Sequence, residues 1–453
     1  MDLPNYFLAD LADSSTLTPQ LITDACQTLK QNREKFLATQ STENLISILT
    51  KLGREWLDPE FPFRKIVLEK GPEQTGFGKE TLRLGLDRFF AQLTHENLEA
   101  LIVQDLGSLR RLDEITADAV ESKQDRSSIA RGHDLLVHIT GGVLPNPSVM
   151  SMILGLLARS AQVVKCATGT AFIPRMFAHS LYAMQPKLGA CLEIAEWKGG
   201  TTHFEDALFA EASCVTATGS DESLTEIRKR LPARVRFLGY GHKLSVAFVT
   251  RESLDKNGAE KIASALTEDA TAWNQLGCLS PHAIYIENGA SINSLAFAEV
   301  LSKHLEGREQ KDPRGAISAQ DAAAITTRRM FYEVRASADR ETKLWASSGS
   351  TSWTVVHETS PQFQASCLNR FIFIKPVDSL DEFLASIGSL PGQISTVGLA
   401  APMARAQEVS RRLADAGISR VCRIGHMQNP PLTWRHDGRP SLGDLVTWTD
   451  IEL

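Results

Sequence analysis

Along residues 1–126 apolar residues recur three and four positions apart. The pattern is clear in "TPQLITDACQTLKQNREKFL", "ENLISILTKLG" and "KETLRLGLDRFFAQLTHENLEALIVQDLG". That spacing gathers them on one face of a helix and predicts a helical N-terminal region. "ESKQDRSSIARGHD" is polar and reads as a connection. The rhythm then changes. Short apolar runs, "LLVHIT", "AQVVKCAT" and "CVTATG", alternate with the helical segments "SVMSMILGLLARS", "AFIPRMFAHSLYAMQ" and "SDESLTEIRKRL". Strand–helix alternation of this kind predicts a parallel α/β sheet, with ligands bound at loops that follow its strands. Past "KLSVAFVT" the alternation restarts with the helix "GAEKIASALTEDATAW", the strand "HAIYIE" and the long helix "AISAQDAAAITTRRMFYEVRASAD". "RFIFIKPV", "STVGLA" and "RVCRIG" read as later strands. The expected organisation is a helical region over 1–126 and α/β domains over 127–250 and 251–425, with no internal repeat.

Composition narrows the class. The chain has 453 residues, 48 Lys plus Arg against 54 Asp plus Glu, and a net charge of −6. That balance argues against a nucleic-acid or anionic-membrane binder. The seven cysteines are Cys26, Cys166, Cys191, Cys214, Cys278, Cys367 and Cys422. They are odd in number, scattered and free of C-x-x-C spacing, so free thiols in a reducing compartment are expected, with no disulfide framework and no zinc site. The start, "MDLPNYFLADLADSST", lacks the basic and apolar blocks of a signal peptide, and no run reaches a membrane-spanning length. The expectation is cytoplasmic.

Candidate chemistry starts at "WNQLGCLSPH". Cys278 lies between a helical segment and a strand, after Gly277, where the backbone turns sharply. A thiol there can be a nucleophile in a cleft or a small buried hydrophobe. His282, four residues on and across a proline, can assist the thiol or fill a polar corner. "TGGVLPNPS" leaves a strand and opens a helix. Asn146 offers an amide there, or the segment is an ordinary strand-to-helix turn. Lys165 ends a strand, where an ammonium can reach ribose hydroxyls or phosphate, or stand solvated at the rim. "TATGSDES" brings Thr218, Gly219 and Ser220 to a helix start, either a phosphate site or a serine N-cap. It is not the three-glycine dinucleotide fingerprint.

Together these segments resemble one family. "LLVHITGG…P…SVMSMILGLLARSAQVVKCATGT", "TATGS", "GYGHKLSVAFV" and "WNQLGCLSP" follow the order of the aldehyde dehydrogenase superfamily. "GCLSPH" and the tail "RIGHMQNPPLTWRHDGRPSLGDLV" resemble its acyl-CoA reductase branch, the family of the bacterial luminescence fatty-acid reductase subunit. The resemblance runs from about Gly132 to the C-terminus. It implies an aldehyde-dehydrogenase-like fold, in which 127–250 joined by 426–453 holds a nicotinamide cofactor and 251–425 carries the nucleophile Cys278. It implies cofactor contacts at Lys165, Thr218, Gly219 and Ser220, with NADPH preferred over NADH. Two departures stand out. Gly239 occupies the place where aldehyde-oxidising relatives carry a general-base glutamate, which suits a thioester enzyme. Gly142 stands where relatives place an oxyanion asparagine, leaving Asn146 as the candidate for that role.

The implied reaction is attack of the Cys278 thiolate on an acyl-CoA or related acyl thioester, then hydride transfer and release of a fatty aldehyde. A helix N-terminus, or a nearby cation such as Lys165 or His282, is expected to lower the thiol pKa. A thiol-to-thiol acyltransferase, a conventional aldehyde dehydrogenase and a non-catalytic partner subunit of an acyl-activating complex are the alternatives. A homo-oligomer is expected by resemblance, with room for an acyl-activating partner protein. Trp434, Arg435, His436 and Asp437 either close over the site or pin the C-terminus.

Overall fold

The computed structural model describes residues 3–11, 16–390 and 392–453. The segment read for a signal peptide lies partly outside them, at 1–2 and 12–15. The chain forms two compact units: 1–75, 86–241 and 431–453 in the first, and 76–85 with 242–430 in the second. Apart from residues 76–85, the N-terminal helical region therefore belongs to a unit with the first α/β sheet. The division falls at Gly241/His242 instead of near Thr250, and residues 426–430 stay with the second unit.

In the first unit, β1 (Ser127–Gly132) precedes the parallel strands β2 (Leu135–Ile139), β3 (Ala161–Cys166), β4 (Leu192–Glu196), β5 (Cys214–Thr218) and β6 (Arg236–Tyr240). Those five lie in the order β4-β3-β2-β5-β6. The chain runs outward from β2 through β3 to β4, then crosses to β5 on the far side. The topological switch point is therefore between β2 and β5, where the loops after the two strands diverge and leave a crevice. The helix Pro19–Asn32 lays Ile22, Cys26 and Leu29 against Leu135, Val137 and Val163 of the sheet. Its N-cap is Thr18, whose hydroxyl accepts from the Leu21 N–H at 3.2 Å, with Pro19 at the first helical position.

The second unit has a seven-stranded sheet. Its strands are β7 (Leu244–Val249), β8 (Pro281–Glu287), β9 (Lys343–Ala346), β10 (Thr354–His357), β11 (Phe371–Val377), β12 (Ile394–Ala400) and β13 (Arg420–Arg423). Their order is β13-β12-β7-β8-β11-β10-β9, and only the edge strand β9 is antiparallel. "KLSVAFVT" is thus not the last strand of the first sheet but an interior strand of the second. Val246 and Phe248 face one core while Ala247 and Val249 face the other. Helices cover both faces, which is why β7 and β8 are buried along their whole length and mostly apolar.

The tail closes back on the first unit. β14 (Val446–Ile451) pairs antiparallel with β1, Ser127 opposite Ile451 and Gly132 opposite Val446. The polar stretch expected to be a connection contains β1, which has no apolar alternation to announce it. No helix among the described residues is long and apolar enough to cross a membrane.

Candidate active site

In the first unit the loops after β2 and β5 are joined at the switch point. The Gly141 N–H donates to Thr218 Oγ1 at 2.9 Å, and the Gly219 N–H to the carbonyl of Tyr240 at 3.2 Å. Gly141 is packed so closely that a Cβ there would sit 2.6 Å from the Thr218 carbonyl oxygen. Gly142, in contrast, has φ +81° and nothing within 4 Å of a Cβ position. One glycine allows the strand ends to approach and the next leaves open space, as a ligand lying across the loops requires.

Lys165 is the penultimate residue of β3, the neighbour of β2, 3% exposed, its ammonium 5.7 Å from the Trp197 ring centroid. Burial pushes its pKa down, against the pull of Glu205, Cys166 and Glu196. It forms no ion pair with them, and among the described residues its ammonium has no hydrogen-bond partner. A desolvated lysine at the end of a strand is suited to a hydroxyl or anionic group of a ligand. Ser220 caps the helix Asp221–Arg230, its hydroxyl accepting from the Ser223 N–H at 3.3 Å. Asp221 and Glu222 fill the first turn of that helix and oppose a phosphate there. Thr218 and Gly219 thus come together with Gly141, Lys165 stands on β3 on the other side of β2, and Ser220 serves as an N-cap. The residues present suit a nicotinamide dinucleotide at the switch point. Asn146 begins the helix Asn146–Leu157 half-buried, its amide without a hydrogen-bond partner among the described residues. Gly239 lies within β6 opposite Ala217, and a side chain there would meet the Phe237 ring at 3.1 Å.

The tail residues pack in this same unit. The His436 ring stacks on Tyr240 at 4.6 Å and meets Trp434 at 4.8 Å, while the Arg439 guanidinium lies 4.4 Å over Tyr240. Asp105 accepts from the N–H groups of Leu442 and Gly443 at 2.7 and 3.2 Å. The motif pins the C-terminus against the end of β6.

In the second unit Cys278 is the exposed one of the seven cysteines. Burial drives the thiols of Cys26, Cys166, Cys191 and Cys214 up to about 12, which makes them inert. Cys278 sits just before β8, at the amino end of its strand, whereas the ligand loops of the first unit follow their strands. Its carbonyl accepts from Ser245 Oγ at 2.7 Å. Ser280, two residues on, accepts from Gln428 Nε2 at 2.6 Å. The loop that carries Gln428 hangs from Asp269, whose carboxylate accepts from the N–H groups of Gly425 at 2.5 Å and Met427 at 2.9 Å. Burial raises Asp269 to about 6 despite these bonds.

Arg420, at the start of β13, donates to the carbonyls of Met427 and His426 at 2.7 and 2.8 Å. Burial pushes its pKa down, and the charges of Cys422, Asp269 and Cys278 oppose that shift. Arg420 is therefore a buried cation whose charge reaches the thiol. The sequence offered only a basic residue opening an apolar strand, with no sign of its proximity. His282 cannot fill the expected cationic role. It is 6% exposed, burial and His242 depress it to about 4, and its Nδ1 accepts from the Ser366 N–H at 3.2 Å. The ring is neutral at physiological pH and holds the segment before β11.

The family model described as acyl-CoA reductase (LuxC) matches residues 37–448. The long-chain acyl-protein thioester reductase of Aliivibrio fischeri is 22% identical over 421 residues, covering 90% of this chain and 82% of that protein. Among solved structures, bifunctional proline utilization A (PutA) superposes with a TM-score of 0.70 at 14% identity over 96% of this chain. The chain spans 45% of that larger protein's length. The glyceraldehyde-3-phosphate dehydrogenase GapN of Methanocaldococcus jannaschii, solved with NADP, gives a TM-score of 0.68 at 14% identity over 100% of this chain and 98% of that one. These structures establish an aldehyde-dehydrogenase-like fold.

Proposed function

The chain belongs to the acyl-CoA reductase (LuxC) family, and from that premise we propose that it reduces a long-chain acyl thioester to the aldehyde through a covalent acyl–Cys278 intermediate. The observation that carries this reading is the thiol itself: the one exposed cysteine, on a tethered loop, coupled to a buried arginine. The Cys278 thiolate attacks the thioester carbon and the leaving thiolate departs without strong acid assistance. Arg420 stabilises negative charge at the sulfur. Asn146 is the proposed side-chain donor to the oxyanion, on the chemistry of its unpartnered amide. Losing one such donor typically costs about 3 kcal/mol of barrier.

A reduced nicotinamide, when bound, supplies the hydride that the acyl–Cys278 thioester accepts. Lys165, Thr218 and Gly219 are the residues proposed to hold it, and NADPH is the proposed form. The thiohemiacetal on Cys278 then collapses, frees the aldehyde and restores the thiol. Gly239 provides no carboxylate to activate water, which suits an enzyme whose acyl intermediate must not hydrolyse. Family membership favours this reduction over bare acyl transfer or aldehyde oxidation. The proposed donor is acyl-CoA or a protein-bound acyl thioester. A homo-oligomer working beside an acyl-activating protein in the cytoplasm is the proposed setting.

The test is the intact-protein mass after mixing with acyl-CoA, with and without NADPH, on the wild type and on Cys278→Ala. An acyl adduct on the wild type alone, discharged by NADPH with aldehyde formed, is expected. An adduct that NADPH leaves untouched supports acyl transfer, and no adduct at any chain length removes Cys278 from the reaction.

A further inference from the structure

Nine non-glycine residues among those described have positive φ, and six of them form two consecutive triplets in the second unit. Trp273, Asn274 and Gln275, at φ 50°, 53° and 66°, stand directly before the Cys278 loop. Leu368, Asn369 and Arg370, at φ 59°, 56° and 66°, stand directly before β11. Single left-handed residues are unusual, and strained runs persist only where their surroundings over-determine them. Here each triplet is held by the other.

Asn274 Oδ1 accepts from Arg370 Nε at 3.2 Å and Nη2 at 2.9 Å, and Asn274 Nδ2 donates to the Arg314 carbonyl at 2.6 Å. Gln275 reads the backbone of the second segment as a neighbouring strand would. Its Oε1 accepts from the Phe371 N–H at 2.7 Å and its Nε2 donates to the Phe371 carbonyl at 2.8 Å. The same Nε2 donates to the Pro281 carbonyl at 2.8 Å, closing residues 276–280 into a ring that carries Cys278. Arg370 is anchored by Glu309 Oε2 at 2.8 Å and the Asp312 carbonyl at 2.9 Å. Asn274, Gln275 and Arg370 are all at most 2% exposed. Trp273 seals the other side, its ring so close over Gly85 that a Cβ there would lie 2.1 Å away.

We propose that Asn274 and Gln275 are positioning residues for the reaction, and that their staple to Arg370 and Phe371 fixes where the Cys278 sulfur points. The inference rests on the nucleophilic role of Cys278. A nucleophile displaced by about 1 Å loses roughly a hundredfold in rate even when the fold is intact. The staple supplies that precision to a loop that neither sheet hydrogen bonds nor a helix holds.

Asn274→Gly and Gln275→Gly separate the staple from the backbone, because glycine adopts positive φ without strain. Each removes the side-chain bonds and keeps the left-handed turn permitted. The readouts are the alkylation rate of Cys278 by iodoacetamide across pH 5–9, the split of kcat against KM, and the thermal midpoint. A folded variant with slowed alkylation, KM for acyl-CoA near the wild type, and kcat lower by roughly tenfold to a hundredfold is expected. Wild-type alkylation and kcat in a folded variant would overturn the proposal. If both glycine variants fail to fold, Arg370→Lys decides by the same readouts, since it keeps a buried cation but cannot bond Asn274 twice. Alkylation reads the position of the thiol without any turnover, so its result stands apart from whether the wild type makes aldehyde.

Discussion

Arg420 and Cys278 are coupled by charge, and this coupling is the property of the thiol most open to measurement. Replacing Arg420 by Met removes a buried cation. Alkylation of Cys278 at neutral pH should slow roughly tenfold, the scale of one pKa unit, and its pH profile should move to higher pH. Arg420→Lys should retain part of the effect. An unchanged profile in Arg420→Met would remove the guanidinium from the chemistry. Lys165 makes a separate statement at the same scale. Its ammonium is desolvated and lies over Trp197, with no hydrogen-bond partner among the described residues. Lys165→Met should raise the KM for the reduced nicotinamide roughly tenfold, the scale of one charge-assisted hydrogen bond, and leave the KM for acyl-CoA unchanged. Equal changes in both KM values would mean that Lys165 supports the sheet and not the cofactor.

At the scale of elements, the crevice of the first unit depends on how closely two strand-end loops approach. β2 and β5 are neighbours whose chains then diverge, and the bond from Gly141 to Thr218 ties their loops. A methyl at Gly141 would collide with the Thr218 carbonyl at 2.6 Å. Gly141→Ala should therefore push the loops apart and weaken cofactor binding roughly tenfold, in line with a typical overpacking cost of about 1–3 kcal/mol. Titration of nicotinamide fluorescence checks this, and unaltered affinity would show that the loops can part without consequence. A comparable methyl at Gly142 meets nothing within 4 Å, although its φ of +81° still disfavours alanine.

For the molecule as a whole, buried ionisable groups set the pH dependence of stability. Asp269 rises from 3.8 to about 6 through burial. A raised folded value means its contribution is fully present below about pH 3.8 and is lost as pH climbs through about 6. His282 acts in the opposite sense. Depressed from 6.5 to about 4, its contribution is present above pH 6.5 and lost as pH falls through about 4. The difference in thermal midpoint between wild type and Asp269→Asn cancels the histidine. That difference should shift in favour of the variant between pH 4 and 7. A flat difference would mean that Asp269 stays ionised while buried, held by its bonds to Gly425 and Met427.

The sequence by itself determined what local chemistry can encode. Apolar runs bounded by polar helices specified two parallel α/β sheets. The candidates Lys165, Thr218, Gly219 and Cys278 could be picked out because each sits near a junction where strand gives way to loop or loop to strand. Tertiary structure decided the rest, because it depends on residues distant in the chain. β1 carries no alternation of its own and becomes a strand only through β14, more than 300 residues later. "KLSVAFVT" looks alike as the last strand of one sheet or an interior strand of another, since a strand buried on both faces records no neighbours. Arg420 lies 142 residues beyond Cys278 and His282 only four, yet burial neutralises the near histidine and leaves the distant arginine charged. The left-handed triplets before Cys278 and β11 have no glycine to betray them, because side chains 96 residues apart hold the backbone where local preference would not.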